Sequence, residues 1–262
     1  MRLIAIANHK GGVGKTTTAV NLAACLAAAG QRTLLVDADA QAHATYFYVP
    51  DVTAVEADLQ DVLVNHVPVE KVIVPTRIRG LDLLPATLSL ALLDMQMVAM
   101  ARREEQVKRA LAPLRDRHDW GIIDLPPNLA PLTLAALAAA DDIVVPVNAS
   151  RLALLGLGTF IGWTEEYRRM EVITGRILGV LLTMYSKRTR ISEETRQGLE
   201  EARRNGELEV FDTVIPRRVG VEDDAADRLV AGDPNANPDL SGAYRSFTAE
   251  VVAKGGISDV RA

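Results

Sequence analysis

Runs of consecutive apolar residues, each short enough for one strand, alternate along the chain with stretches whose apolar positions recur at helical spacing. The first run is Leu3-Ile4-Ala5-Ile6-Ala7. Others predict strands near Thr33–Asp37, Leu81–Pro85, Gly121–Asp124, Asp142–Val147, Ile177–Thr183 and Thr213–Ile215, with a further candidate at Val72–Val74. Strands that are apolar at nearly every position, not at every second one, have both faces covered. With helical patterns between them, they predict an α/β fold: a doubly wound, mostly parallel sheet with helices on both faces. TTTAVNLAACLAAAG reads as a helix closing at Gly30, and Leu88 to Leu114 as one long surface helix with a Met-rich and a charged part. GDPNANPDLSG at 232–242 reads as a loop before a last helix containing AYRSFTAEVV.

Composition narrows the class without changing this picture. A 262-residue chain with 48% hydrophobic residues can bury a large core, and residues 1–262 read as a single domain, without repeat or low-complexity linker. The one cysteine, Cys25, rules out an internal disulfide and fits a reducing cytoplasm. It lies among Leu22, Leu26 and alanines, so a core thiol is expected. No basic region and long apolar segment precede the first strand, as a signal peptide would require. The longest apolar stretch, near Leu132 to Ala140, is too short to span a bilayer.

The first chemistry lies between the first strand and the first helix, where residues 8–17 read NHKGGVGKTT. Glycines in such density let backbone approach a ligand closely. Strand, glycine loop and helix form the P-loop layout, in which the N–H groups of Gly11, Gly12, Val13 and Gly14 nest around phosphate oxygens at a helix N-terminus. Lys15 then faces the β- and γ-phosphates, the Thr16 hydroxyl ligates Mg²⁺, and Thr17 completes the nucleotide-binding stretch. The usual spacing asks for glycine where this chain has His9.

KGGVGKTT resembles the deviant Walker A box of the ParA/MinD superfamily, in which the lysine at the position of Lys10 is the signature residue. The resemblance implies that Lys10 reaches across an ATP-sandwich homodimer to the partner's phosphates. Residues 34–45, LLVDADAQAHAT, end an apolar strand in two carboxylates and resemble the family's DxDPQ motif, with Ala40 in place of proline. By that resemblance Asp39 orients the attacking water and Asp37 supports Mg²⁺ and its waters; the same acids would also suit capping of the following helix. In DWGIIDLPPNLAPL, Asp124 looks like the Walker B aspartate that holds Mg²⁺, followed by the two prolines of a DxPP motif, with Asn128 where many members carry serine.

The resemblance continues through ILGVLLTMYSKRTRIS, FDTVIPRRVGVEDDA and the final helix, blocks similar to small ParA-type partition ATPases of the Soj kind. It places the loop at Ile215-Pro216, with Arg217, beside the nucleotide base. It also assigns nonspecific DNA binding to basic residues matching Lys187, Arg188, Arg190, Arg217 and Arg218, with Gly220 where some relatives are basic. The formal net charge of −5 tends to repel DNA, so binding would need a local basic patch; nearby Glu193, Glu194, Glu200 and Glu201 could equally neutralise these arginines. Aromatics at 4% argue against base stacking.

The expectation is therefore a cytoplasmic, nucleoid-associated, Mg²⁺-dependent ATPase with a ParB-like activating partner and no membrane partner. Two alternatives share its phosphate site. A MinD-like membrane ATPase needs a basic amphipathic C-terminal helix, whereas EVVAKGGISDVRA breaks at Gly255-Gly256. A small-molecule synthetase of the dethiobiotin type would use the phosphoryl group in carboxylate chemistry.

Overall fold

The computed structural model describes residues 1–150, 152–217, 230–231, 233 and 235–255. Arg218, Gly220, the remainder of the FDTVIPRRVGVEDDA block and the tail from Gly256 lie outside the described residues.

Eight strands form one sheet: β1 (Arg2–Ile6), β2 (Thr33–Asp37), β3 (Val74–Pro75), β4 (Leu81–Leu84), β5 (Trp120–Asp124), β6 (Asp142–Asn148), β7 (Arg176–Tyr185) and β8 (Val210–Pro216). Their order is β3-β4-β2-β5-β1-β6-β7-β8. Every pairing is parallel except that of β3 with β4 at the edge.

Alternate residues of the apolar runs feed opposite faces. Leu3 and Ala5 of β1 join the core beneath α3 (Leu59–Leu63), α6 (Pro131–Ala139) and α7 (Ala153–Arg169). Ile4 and Ile6 join the core beneath α1 (Lys15–Ala28), α2 (His43–Tyr48) and the last helix, α9 (Pro238–Gly255). Two covered faces explain why these strands lack a polar alternation. The chain leaves β1 on one side for β2 and later crosses over it from β5 to β6 on the other, so the strand order reverses at β1 and its carboxyl end opens into the crevice where such sheets bind ligands.

Three expectations change. The span 88–114 is not one helix: it breaks into a 3₁₀ turn at Leu88–Leu92, α4 (Leu93–Val98), α5 (Gln106–Leu111) and further short turns, with Arg102 left-handed at φ 50°. A continuous helix there would run about 40 Å, more than twice the roughly 17 Å of a five-residue strand. Bending keeps Leu93, Met97, Val107, Leu111 and Leu114 all buried against one face. The strand expected at Val72–Val74 is only Val74–Pro75, because Val72 is buried at the end of a 3₁₀ turn. The loop at 232–242 yields to helix at Pro238, where the Asn237 side chain accepts from the N–H groups of Asp239 and Leu240. Cys25 is buried on α1, as expected, and burial pushes its thiol pKa up.

Candidate active site

The glycine loop joins β1 to α1 at the carboxyl edge. Gly12 and Gly14 have φ of 68° and 82°, values that side chains disfavour, and Gly14 caps α1 without a side-chain hydrogen bond. Donors of the same chain hold three of the loop's carbonyls. The carbonyl of Lys10 accepts from Lys15 Nζ at 3.1 Å, that of Gly12 from Asn148 Nδ2 at 3.5 Å, and that of Val13 from Thr183 Oγ1 at 2.9 Å. In a planar trans peptide the N–H points opposite the carbonyl, so the amides of Val13 and Gly14 point away from Asn148 and Thr183, toward the side open to an anion. Lys15 is buried; desolvation lowers its pKa, against the attraction of Asp124 and Asp39.

Three carboxylates converge on this loop. Asp37 and Asp124 close neighbouring strands in register, and both are fully buried. Asp37 is well supplied with donors: Oδ2 accepts from Thr45 N at 2.7 Å and Thr45 Oγ1 at 2.8 Å, and Oδ1 from Asp39 N at 3.1 Å. Burial nevertheless pushes its pKa up to about 6. Asp124 differs sharply: among the described residues neither carboxylate oxygen has a partner in good hydrogen-bond geometry, and the Thr16 hydroxyl is the one donor close to it. Burial, then the charge of Asp37, raises its pKa well above the carboxylate range; the Thr16 hydroxyl and Lys15 oppose this only partly. Asp39 is half-exposed, and its Oδ1 accepts from Gln41 N at 3.0 Å. Its carbonyl accepts from Ala42 N at 2.8 Å, so hydrogen bonds brace this loop where Ala40 replaces proline. Asn128 braces the DxPP loop similarly, its Oδ1 accepting from Ala130 N and Thr133 Oγ1.

A buried carboxylate short of hydrogen bonds, beside a hydroxyl and two amides turned away from Asn148 and Thr183, suits a divalent cation carried on phosphate oxygens. Among the described residues no group of three or more His, Cys, Asp or Glu could hold a metal alone, and Mg²⁺ characteristically takes one or two carboxylates plus substrate phosphates and waters. Next to the loop opens a cavity of about 320 Å³ lined by Gly14, Thr17, Asn148, Thr183, Pro216, Arg217 and Tyr244 among others. Pro216 and Arg217, which the resemblance places beside the nucleotide base, are among the residues lining this cavity.

Lys10 lies on its own chain, with Nζ 2.8 Å from Ser150 Oγ and 3.3 Å from Asn148 Oδ1. Lys187 and Arg188 form the exposed turn between β7 and α8 (Arg190–Arg204). Arg217 is brought near them, because its N–H donates to Tyr185 O at 2.7 Å. Among the described residues none of these three side chains is ion-paired. Arg190 instead pairs with Glu194 at 2.6 Å.

Thr45, Asn148, Ser150 and Thr183 belong to this arrangement, although no sequence motif marked them. Asn148 and Thr183 carried the same signal as Asp37 and Asp124: a polar residue at the carboxyl end of an apolar run.

Fold and loop together define a P-loop ATPase. A family model described as an AAA domain matches residues 1–173. The chain is 38% identical over 256 residues to the sporulation initiation inhibitor protein Soj of Bacillus subtilis (strain 168), covering 97% of this chain and 99% of that protein. It is 37% identical over 260 residues to the chromosome partitioning protein ParA of Caulobacter vibrioides (strain NA1000 / CB15N), covering 97% and 95%. The chain belongs to the ParA/Soj family of partition ATPases.

Among solved structures, a Mycobacterium smegmatis protein described as cobyrinic acid a,c-diamide synthase, with bound ATP analog and magnesium, is 33% identical. It superposes with a TM-score of 0.85 over 99% of this chain and 97% of that one. The cell division ATPase MinD of Pyrococcus furiosus, at 22% identity and a TM-score of 0.77 over 96% and 98%, shares the fold. Among the described residues, no helix is long and apolar enough to cross a membrane.

Proposed function

We propose that this chain is an ATP-dependent DNA-binding switch that positions a large cargo: it dimerises on Mg²⁺-ATP, binds duplex DNA without sequence preference, and lets go after hydrolysis stimulated by a ParB-like partner. The observation that carries this reading is the basic turn at Lys187-Arg188 beside Arg217, exposed and, among the described residues, without ion pairs, while Arg217 also lines the nucleotide cavity. Nucleotide and backbone-binding charge thus share one edge of the sheet. That patch answers the net charge of −5, since phosphate contacts act locally. Arg218 belongs to the same proposal from sequence alone, and Arg190 contributes less because Glu194 offsets it.

Within the site, Gly11 to Lys15 hold the triphosphate, Thr16 and Asp124 hold Mg²⁺, and Asp37 stands behind them as the second carboxylate. Bound Mg²⁺ supplies charge neutralisation for the phosphoryl group. Asp39, half-exposed at the cleft, is the residue free to orient a water. Lys10 leaves Asn148 and Ser150 to reach the partner protomer, so ATP must favour the dimer by its differential affinity. The protein then works in the cytoplasm, on the nucleoid.

Fluorescence anisotropy with two unrelated duplexes, with and without ATP and Mg²⁺, tests this. Binding should need ATP, rank the duplexes equally and fall steeply with salt. Lys187→Ala/Arg188→Ala should weaken both duplexes alike and flatten the salt slope by about 0.9 for each phosphate that is no longer neutralised. Failure of the wild-type protein to bind any duplex at low salt sinks the reading. The solved structures described as cobyrinic acid a,c-diamide synthase favour a second one, a small-molecule synthetase, whose mark would be turnover that depends on a carboxylate substrate and ignores DNA.

A further inference from the structure

The direction of the loop's amides is not a property of the loop alone. Gly14, at φ 82°, belongs to the one residue type that takes either sign of φ at little cost. The Val13–Gly14 peptide can therefore turn over, exchanging an inward N–H for an inward carbonyl that would repel phosphate. Something outside the loop must choose.

We propose that Thr183 makes that choice: its hydroxyl, 2.9 Å from Val13 O, holds the carbonyl outward and so keeps the Gly14 amide toward the anion. Thr183 is a positioning residue, acting on the nucleotide through the loop. The side chain is 2% exposed and approaches no closer than 3.9 Å to where a Gly14 Cβ would stand. Its backbone is fixed against β6 and the residue after it: it pairs with Asn148 across β6 and β7, and its carbonyl accepts from Ala149 N at 3.3 Å. The next residue, Met184, has φ 53°, a conformation uncommon outside glycine, asparagine and aspartate. Strain of this kind persists only where the surroundings over-determine it. Here it falls at the register shift between β7 and β8, beyond the Thr183 that stands under the loop, where Tyr185 pairs with Pro216.

The alternative is that the hydroxyl only satisfies itself inside the core. Thr183→Val and Thr183→Ser separate the two, because valine keeps the shape and loses the donor while serine keeps the donor. The proposal rests on nucleotide binding at this loop, so Lys15→Ala serves as the control that must lose ATP binding. For Thr183→Val, we expect ATP affinity measured by calorimetry to fall about five- to tenfold, as for removal of one hydrogen bond. The slowing of hydrogen exchange that ATP brings at residues 11–15 should be smaller than in the wild type, and Thr183→Ser should restore both. If the valine variant does not fold, Thr183→Ala removes the same donor. Wild-type affinity and exchange in the variant without the hydroxyl would overturn the proposal, as would a serine variant as weak as the valine one. Wild-type ATP binding in Lys15→Ala would instead overturn the site itself.

Discussion

Asp124→Asn should stabilise the nucleotide-free protein while removing its response to Mg²⁺-ATP. Among the described residues both oxygens of this carboxylate are buried without a well-formed hydrogen bond, the Thr16 hydroxyl only partly offsetting this, and the charge of Asp37 faces it from the adjacent strand. Asparagine keeps the shape, removes the charge and offers an amide toward the neighbouring carboxylates. An uncompensated buried charge costs several kcal/mol and an orphaned polar group about 1–3, so a gain of about 2–4 kcal/mol at roughly pH 7.5 is expected. For a chain of this size that is a rise in Tm of roughly 4–16 °C.

The pH dependence has a definite sign. An acid whose pKa is higher folded than unfolded destabilises the fold above its folded pKa, and this cost fades as pH falls toward the ordinary carboxylate range. Asp124 is raised, and Asp37, raised to about 6, shares the sign. The advantage of the variant should therefore shrink between about pH 7 and pH 4. Thermal melts by circular dichroism from about pH 4.5 to 8, with and without Mg²⁺-ATP, read both effects. A variant less stable than wild type near neutral pH without nucleotide, or one whose Tm tracks wild type at every pH, would refute the account of Asp124 as an orphaned carboxylate awaiting a cation.

If the proposed ATP dimer forms through Lys10, Lys10→Ala should give an ATP-binding monomer, since within the single chain the side chain is held by Asn148 and Ser150. Sedimentation with Mg²⁺-ATP decides it, and dimerisation like wild type would leave Lys10 without that role. Asp39→Ala should keep ATP affinity within about threefold, since among the described residues the carboxylate bonds only Gln41 N within its own loop, yet lose roughly 10²-fold or more in turnover. Single-turnover hydrolysis at the wild-type rate would assign the water to another residue.

The phosphate loop was legible in the chain because its chemistry is local. Three glycines, a lysine and two threonines between an apolar run and a helix form their nest from consecutive backbone, wherever the rest of the chain goes. The strands were legible for a related reason: burial on both faces removes the polar alternation, leaving runs that stand out from the helices around them. What tertiary structure alone decided involves partners far apart in sequence. Whether Asp37 or Asp124 is left without donors depends on Thr45 folding back onto one of them and not the other. The outward turn of the Val13 carbonyl depends on Thr183, 170 residues away. The segment 88–114 has the periodicity of one helix, but the length of the sheet beneath it forces the break. Periodicity reports which side of an element is buried. It carries no measure of how long the surface beneath it is, or of which distant donor reaches a given oxygen, and those two quantities shape this site.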